Sequence, residues 1–178
     1  MTMQAKLFLL MLLAASGSAM AQTAAPNSAA PAARPPAQPA ARGPALDLAI
    51  EAARIAVDTC KARDQKIGVS VVDSAGVLKT LLATDGASSR GVSSSTAKAV
   101  TALSFKAATS QLAEQIKTDT TLAEKISANT AYNARAGGVL LKVGDEIIGA
   151  IGVGGARGSD VDEACAVAGI QAIQSRLN

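Results

Sequence analysis

Histidine is absent from this 178-residue sequence. Its absence removes the commonest general base, the commonest zinc ligand and the commonest haem ligand. No Ser-His-Asp or Cys-His catalytic site can be built within the chain. Aromatic residues are nearly absent too, with no tryptophan, one tyrosine (Tyr132) and two phenylalanines. A single-stranded nucleic acid would find no stacking platform here. The four methionines are Met1, Met3, Met11 and Met20, so none lies beyond residue 20. Prolines number six, and all fall between Pro26 and Pro44. Of the two cysteines, Cys60 and Cys165, neither has the company that a metal cluster needs.

The charge balance is less basic than its total of +3 indicates. Lys6, Arg34 and Arg42 precede residue 46, which leaves 14 Lys and Arg against 14 Asp and Glu from residue 46 onward. A neutral domain lacks the electrostatic footprint of a nucleic-acid binder, and no such partner is expected.

At the N-terminus, Lys6 precedes the apolar run Leu7 to Ala15, and Ala19-Met20-Ala21 offers small residues for cleavage. This is the pattern of a secretory signal peptide over residues 1–21, and the run is too short to span a bilayer. A periplasmic or secreted protein is expected, with no membrane span after cleavage. Residues 22–45 are rich in Ala and Pro, cannot bury a core, and are expected to form a disordered linker. One domain of ordinary size then occupies residues 46–178.

Leu46 to Ala62 has helical periodicity, with Leu46, Ile50, Ala53, Val57 and Cys60 on one expected apolar stripe. Ile67–Val72 and Val77–Ala83 read as a hairpin around Asp73-Ser74-Ala75-Gly76. A helix is expected from Thr96 to Ala108 with Ser95 as its cap, then one from Thr109 to Lys117, a short one over Leu122–Ile126, and an edge strand near Tyr132. A second hairpin turns at Gly144-Asp145, and a last helix follows from Asp160 to Arg176 with Val161, Cys165, Ala168 and Ala172 inward. The order predicts an α+β domain with a five-stranded, mainly antiparallel sheet covered by helices.

The second hairpin ends in the loop Gly154-Gly155-Ala156-Arg157-Gly158, immediately before a helix that opens with Ser159 and two acids. A strand feeding a glycine loop and a helix N-terminus can turn backbone N–H groups toward an anion. A dinucleotide fingerprint would need glycine at 157, and Arg157 stands there. Close packing accounts for the glycines equally well, so an anion loop with Arg157 and a tight connection both remain open. Lys98, Thr101, Phe105 and Thr109 stand one or two turns apart and could present a cation, hydroxyls and a ring to a planar carboxylate-bearing ligand. Equally, Lys98 could be solvated, Phe105 core, and Thr109 a cap. Arg135, ahead of Gly137-Gly138, is a second candidate for a carboxylate. Tyr132 is a candidate iron ligand, although packing explains a lone tyrosine as well. Cys60 and Cys165 either fill the core as free thiols or pair as a disulfide that suits an exported protein. Such a bridge would close a loop of about a hundred residues, worth up to ~4.7 kcal/mol in the chain-entropy model.

Several blocks together resemble the GlcG/HbpS family, which includes haem-binding proteins and the C-terminal domain of PduO-type adenosyltransferases. They are Val69-Ser70-Val71-Val72-Asp73 with Gly76, Asp85-Gly86-Ala87, Ala97-Lys98 with Thr101, Phe105, Thr109 and Leu112, Gly137-Gly138, and Gly149-Ala150-Ile151-Gly152-Val153 with Gly155-Ala156 and Asp162. The resemblance implies a profilin-like three-layer α/β/α domain with strand order 2-1-5-4-3, a homo-oligomer, and binding of haem, a related tetrapyrrole or iron for sequestration, delivery or sensing. Departures from the family pattern fall at Ala83-Thr84, Ala108 and Gly154-Gly155-Ala156. Members that ligate haem through histidine cannot be the template for this chain. The alternatives are an enzyme acting on a small organic acid, which lacks an obvious base here, and an interaction module without a small ligand.

Overall fold

The structure, a computed structural model, describes residues 41–178. The expected signal peptide and residues 22–40 of the expected linker lie outside the described residues. The last linker residues are held on the domain: the Arg42 carbonyl accepts a hydrogen bond from Ser74 N, Arg42 pairs with Glu146, and Pro44 is buried.

The elements are α1 (Leu46–Lys61), β1 (Gly68–Asp73), β2 (Leu78–Ala83), α2 (Ser89–Phe105), α3 (Thr109–Gln115), α4 (Thr120–Ser127), β3 (Gly138–Val143), β4 (Glu146–Gly154) and α5 (Ser159–Ile173), followed by a 3₁₀ turn at Gln174–Arg176. The sheet has four strands in the order β2-β1-β4-β3, all antiparallel, rather than the expected five. The missing strand is the one expected near Tyr132. Its N–H groups are taken by side chains instead of a ladder: Asn129 Oδ1 accepts from Ala131 N, Thr101 Oγ1 from Asn133 N, and Asn133 Oδ1 from Arg135 N. Asn side chains compete for local backbone in this way and favour turns. Removing that strand from the expected order leaves the observed one.

Helices α1 and α5 cover one face of the sheet, over Val69, Val71, Ile151 and Val153. Helix α2 covers the other, over Val72 and Ala150. With both faces covered, every residue of β1 is buried. A third, smaller cluster joins Leu112, Ile126 and Ala134 to Phe105 and Tyr132. Among the described residues, no helix is long and apolar enough to cross a membrane.

Close approach, not apolar bulk, selects the packed helix faces. A Cβ on Gly152 would stand 2.0 Å from the Ser95 carbonyl oxygen, so the α2 backbone rests directly on β4. Helix α2 starts at Ser89, capped by Ser88, whose hydroxyl accepts from Gly91 N. Ser95, expected as the cap, lies buried inside the helix and hydrogen-bonds Ser70 at 2.8 Å. The run Ser-Arg-Gly-Val-Ser-Ser-Ser looks like a loop because its residues are small and polar. That smallness is what a helix lying against a glycine-bearing strand requires. On α1 the buried face is Ala49, Ala52, Ala53, Ala56 and Cys60, while Leu46 and Ile50 of the expected stripe face outward. Alanines let α1 sit against Gly169 of α5, where a Cβ would come within 2.4 Å of the Ala52 carbonyl oxygen. The inward residues of α5 are accordingly Asp162, Cys165, Ala166, Gly169, Ile170 and Ile173. Cys60 and Cys165 meet across this helix pair as a disulfide, with Cα atoms 5.7 Å apart.

Candidate functional site

The glycine loop after β4 and the start of α5 meet α2 at a buried ion pair. Lys98 Nζ donates to Asp162 Oδ2 at 2.7 Å, and the two side chains are 2% and 4% exposed. The second carboxylate oxygen, Oδ1, accepts from Ala156 N in the glycine loop. Gly137, at φ +126°, stacks on the pair, where a Cβ would stand 2.9 Å from Lys98 Nζ. A side chain at that position would displace the ammonium group, and the left-handed backbone independently favours glycine. Burial pushes Lys98 below the ordinary lysine range, and its bond to Asp162 opposes that shift. Burial likewise pushes Asp162 above the ordinary carboxylate range against the pull of Lys98 and of backbone N–H groups. Asp162 is therefore more than an acid at a helix N-terminus: it ties the loop, α5 and α2 together.

Above this pair opens a cavity of about 570 Å³. Its walls are α2 (Ser94, Ala97, Lys98), the 130–135 segment, the loop at Gly155 and Ala156, and Ser159 of α5. Arg90 and Arg135 stand on it as cations. Arg135 Nε donates to Ser159 Oγ at 3.2 Å, while Asn133 fastens the same segment to α2 through Ser94 Oγ. Hydroxyls, amide and guanidinium groups around a pocket suit an anionic ligand. A second cavity, of about 580 Å³, adjoins it and is mainly apolar, with Ala113 of α3, Ile116 just after it, and Ala123 and Ile126 of α4, beside the exposed Glu124. Thr130, Tyr132, Asn133 and Arg135 line both.

The residues singled out in the sequence divide around these cavities. Lys98, Arg135, Gly155 and Tyr132 border the polar one. Thr101, Phe105 and Thr109 do not join Lys98 on a shared ligand-facing surface. Thr101 is buried, donating to the Ala97 carbonyl and accepting from Asn133 N. Phe105 packs edge-on against Tyr132 with ring centroids 5.2 Å apart, and Lys125 Nζ lies 5.5 Å from its ring centre. Thr109 is buried, and its hydroxyl accepts from Gly138 N at 2.8 Å, anchoring the start of α3 to β3. Gly138 and Gly154 serve close contact with α2. Arg157 lines neither cavity, and its backbone N–H donates to Gln65. Arg90, Ser94, Asn133 and Ser159 were not anticipated. Arg90 and Ser94 fall in the stretch that looks like a loop, nothing in the local sequence ties Asn133 to the pocket, and Ser159 reads in the sequence only as the residue that opens the helix after the glycine loop.

Both oxygens of Asp162 are engaged, and the two cysteines are oxidised. Among the described residues, no group of three His, Cys, Asp or Glu could hold a metal ion. Tyr132 is the phenol at the cavity wall.

Comparison with known proteins places this architecture. No curated protein matches the chain. Among solved structures, HbpS is 33% identical, with a TM-score of 0.70, and the match covers 80% of this chain and 98% of that one. A double mutant of HbpS from Streptomyces reticuli is 32% identical with a TM-score of 0.69, covering 83% of this chain and 99% of that one. A complex of PduOC with haem shares the fold at 22% identity and a TM-score of 0.68, covering 74% and 95%. A family model described as haem degrading protein HbpS-like matches residues 45–171. That span holds the whole sheet, the ion pair and both cavities, and on it the chain belongs to the HbpS-like family.

Proposed function

We propose that this protein binds haem or a related tetrapyrrole, outside the cytoplasm, for sequestration, delivery or sensing. The observation that carries the reading is the polar cavity between α2 and the start of α5, with Arg90 and Arg135 on it. Two arginines offer bidentate partners to the two carboxylates that a haem presents. Membership of a family described by haem degradation supports the ligand class, as does the solved haem complex of a protein with the same fold.

The donor set fits the carboxylates and the apolar ring better than the iron. The sequence holds no histidine, and the disulfide removes both thiolates. Tyr132, which lines both cavities, would supply the iron with a phenolate oxygen. Haem, when bound, would bring a redox-active iron to this site. The protein's own groups would hold the carboxylates and screen the ring from water.

Export is supported by the leader pattern of residues 1–21 and by the Cys60–Cys165 bridge, since disulfides persist in oxidising compartments. Assembly into a homo-oligomer is supported by the apolar side chains exposed on the edge strand β2.

A haemin titration followed by absorbance and native mass spectrometry tests the proposal. The expected result is a saturable Soret shift at a fixed haem-to-subunit ratio. A flat titration with the fold intact overturns it, and a screen of small carboxylates would then address the polar cavity as the site of an organic-acid enzyme.

A further inference from the structure

Neither cavity alone suits a tetrapyrrole. The polar one is walled by Ser94, Lys98, Asn133, Arg135 and Ser159. An apolar ring pressed onto those groups would strip their water and return no hydrogen bonds. The apolar one, between α3 and α4, offers a ring the Ala113, Ile116, Ala123 and Ile126 side chains but places no pair of cations there for carboxylates. The two cavities share the 130–135 segment, and Arg135 belongs to both. Its Nε is held by Ser159, and its terminal nitrogens enter none of the ion pairs among the described residues.

We infer that the two cavities are the two compartments of one amphipathic site, in which the apolar cavity between α3 and α4 takes the tetrapyrrole ring while Arg135 and Arg90 take its carboxylates. This rests on the tetrapyrrole reading above and adds a consequence to it. Recognition lies in the ring and the carboxylates, so the site accepts the ligand with or without iron. Tyr132 then alters the spectrum of a bound haem more than its affinity.

The test titrates the purified protein with haemin, by absorbance, and with metal-free protoporphyrin IX, by fluorescence. The two dissociation constants are expected to agree within about threefold, a difference of ~0.7 kcal/mol. Arg135→Ala should weaken both ligands by about tenfold, the loss of one charge-assisted pair at an exposed site. Ala123→Glu, in the wall of the apolar cavity, should weaken both by at least about tenfold, because a second carboxylate, deeper in the apolar wall than the exposed Glu124, meets either the ring or its acid groups. Ser127→Glu, at an exposed position on the same cavity, repeats the test should Ala123→Glu lower the melting temperature. Arg157→Ala, outside both cavities, should change neither. Tyr132→Phe should shift the haemin spectrum and leave protoporphyrin binding in place. Binding of haemin without protoporphyrin, or wild-type affinity in both glutamate variants, overturns the two-compartment site while leaving the haem reading standing. Failure of both ligands to bind overturns both.

Discussion

Lys98 and Asp162 lie 64 residues apart in sequence and 2.7 Å apart in space, and they are the most consequential residue pair of the site. Taking two charges out of water costs several kcal/mol, which the pair and its hydrogen bonds offset. Removing one partner leaves the other buried and uncompensated. Lys98→Met should cost about 3–5 kcal/mol of stability, and Lys98→Met with Asp162→Asn should recover part of it, because the amide leaves no stranded charge while its oxygen can still accept from Ala156 N. Urea unfolding of the three proteins checks this. The loss also carries a pH signature. Without Lys98, the folded-state pKa of Asp162 rises further above its unfolded value, so the folded state binds the proton more tightly. The stability of Lys98→Met should then rise as pH falls through that folded pKa toward the unfolded one, near 3.8, and level off below it. A deficit that stays constant from neutral pH to pH 4 would count against a buried, charged Asp162. The sequence singled out Lys98 but not its role: a lysine amid small helical residues reads as a solvated cation until its distant partner is seen.

At the scale of elements, glycine and alanine decide how the layers meet. Gly152→Ala would put a methyl group 2.0 Å from the Ser95 carbonyl oxygen and 2.6 Å from Ala99 N. Neither contact is a flexible side-chain tip, so α2 must lift from the sheet. Overpacking of this kind costs about 1–3 kcal/mol and would be read as a lowered melting temperature. Because α2 carries Lys98 and Ser94 into the polar cavity, ligand affinity should fall with it. The disulfide acts on the other helix layer. Cys60 and Cys165 are 105 residues apart, so replacing both with alanine should destabilise by up to ~4.7 kcal/mol in the chain-entropy model, with the melting temperature again the readout. The hairpins and the terminal helices were legible because apolar alternation and turn residues are local signals. The helix registers were not: Leu46 and Ile50 look like core, yet the tight α1–α5 contact takes alanines inward instead. The start of α2 was hidden for the same reason, since a helix face made of Gly and Ser carries no apolar period.

At the scale of the whole molecule, the described residues leave one edge of the sheet uncovered on its α2 face. Helix α2 lies across β1, β3 and β4, while β2 makes its helix contacts with α1. Leu78 pairs with Val72 and Leu81 with Ser70, which puts both on the α2 face of the sheet, beyond the helix that covers it. Leu78 is accordingly 46% exposed and Leu81 39%, with neighbouring Val77 at 58%. An edge strand with unpaired backbone groups and three apolar side chains is a ready surface for another chain. This uncovered edge could not be read from the sequence, where Leu78, Leu81 and Leu82 look alike; only Leu82 packs against the core. The proposed homo-oligomer should therefore be built through β2. Replacing Leu78 and Leu81 with lysine puts two like charges on each copy at that contact and removes its apolar area. Native mass spectrometry should then find smaller species, with the melting temperature of the isolated fold changed little, since neither side chain is buried. If the assembly keeps its mass, its contacts lie elsewhere on the surface. If ligand affinity falls together with the assembly, neighbouring copies help to form the binding site.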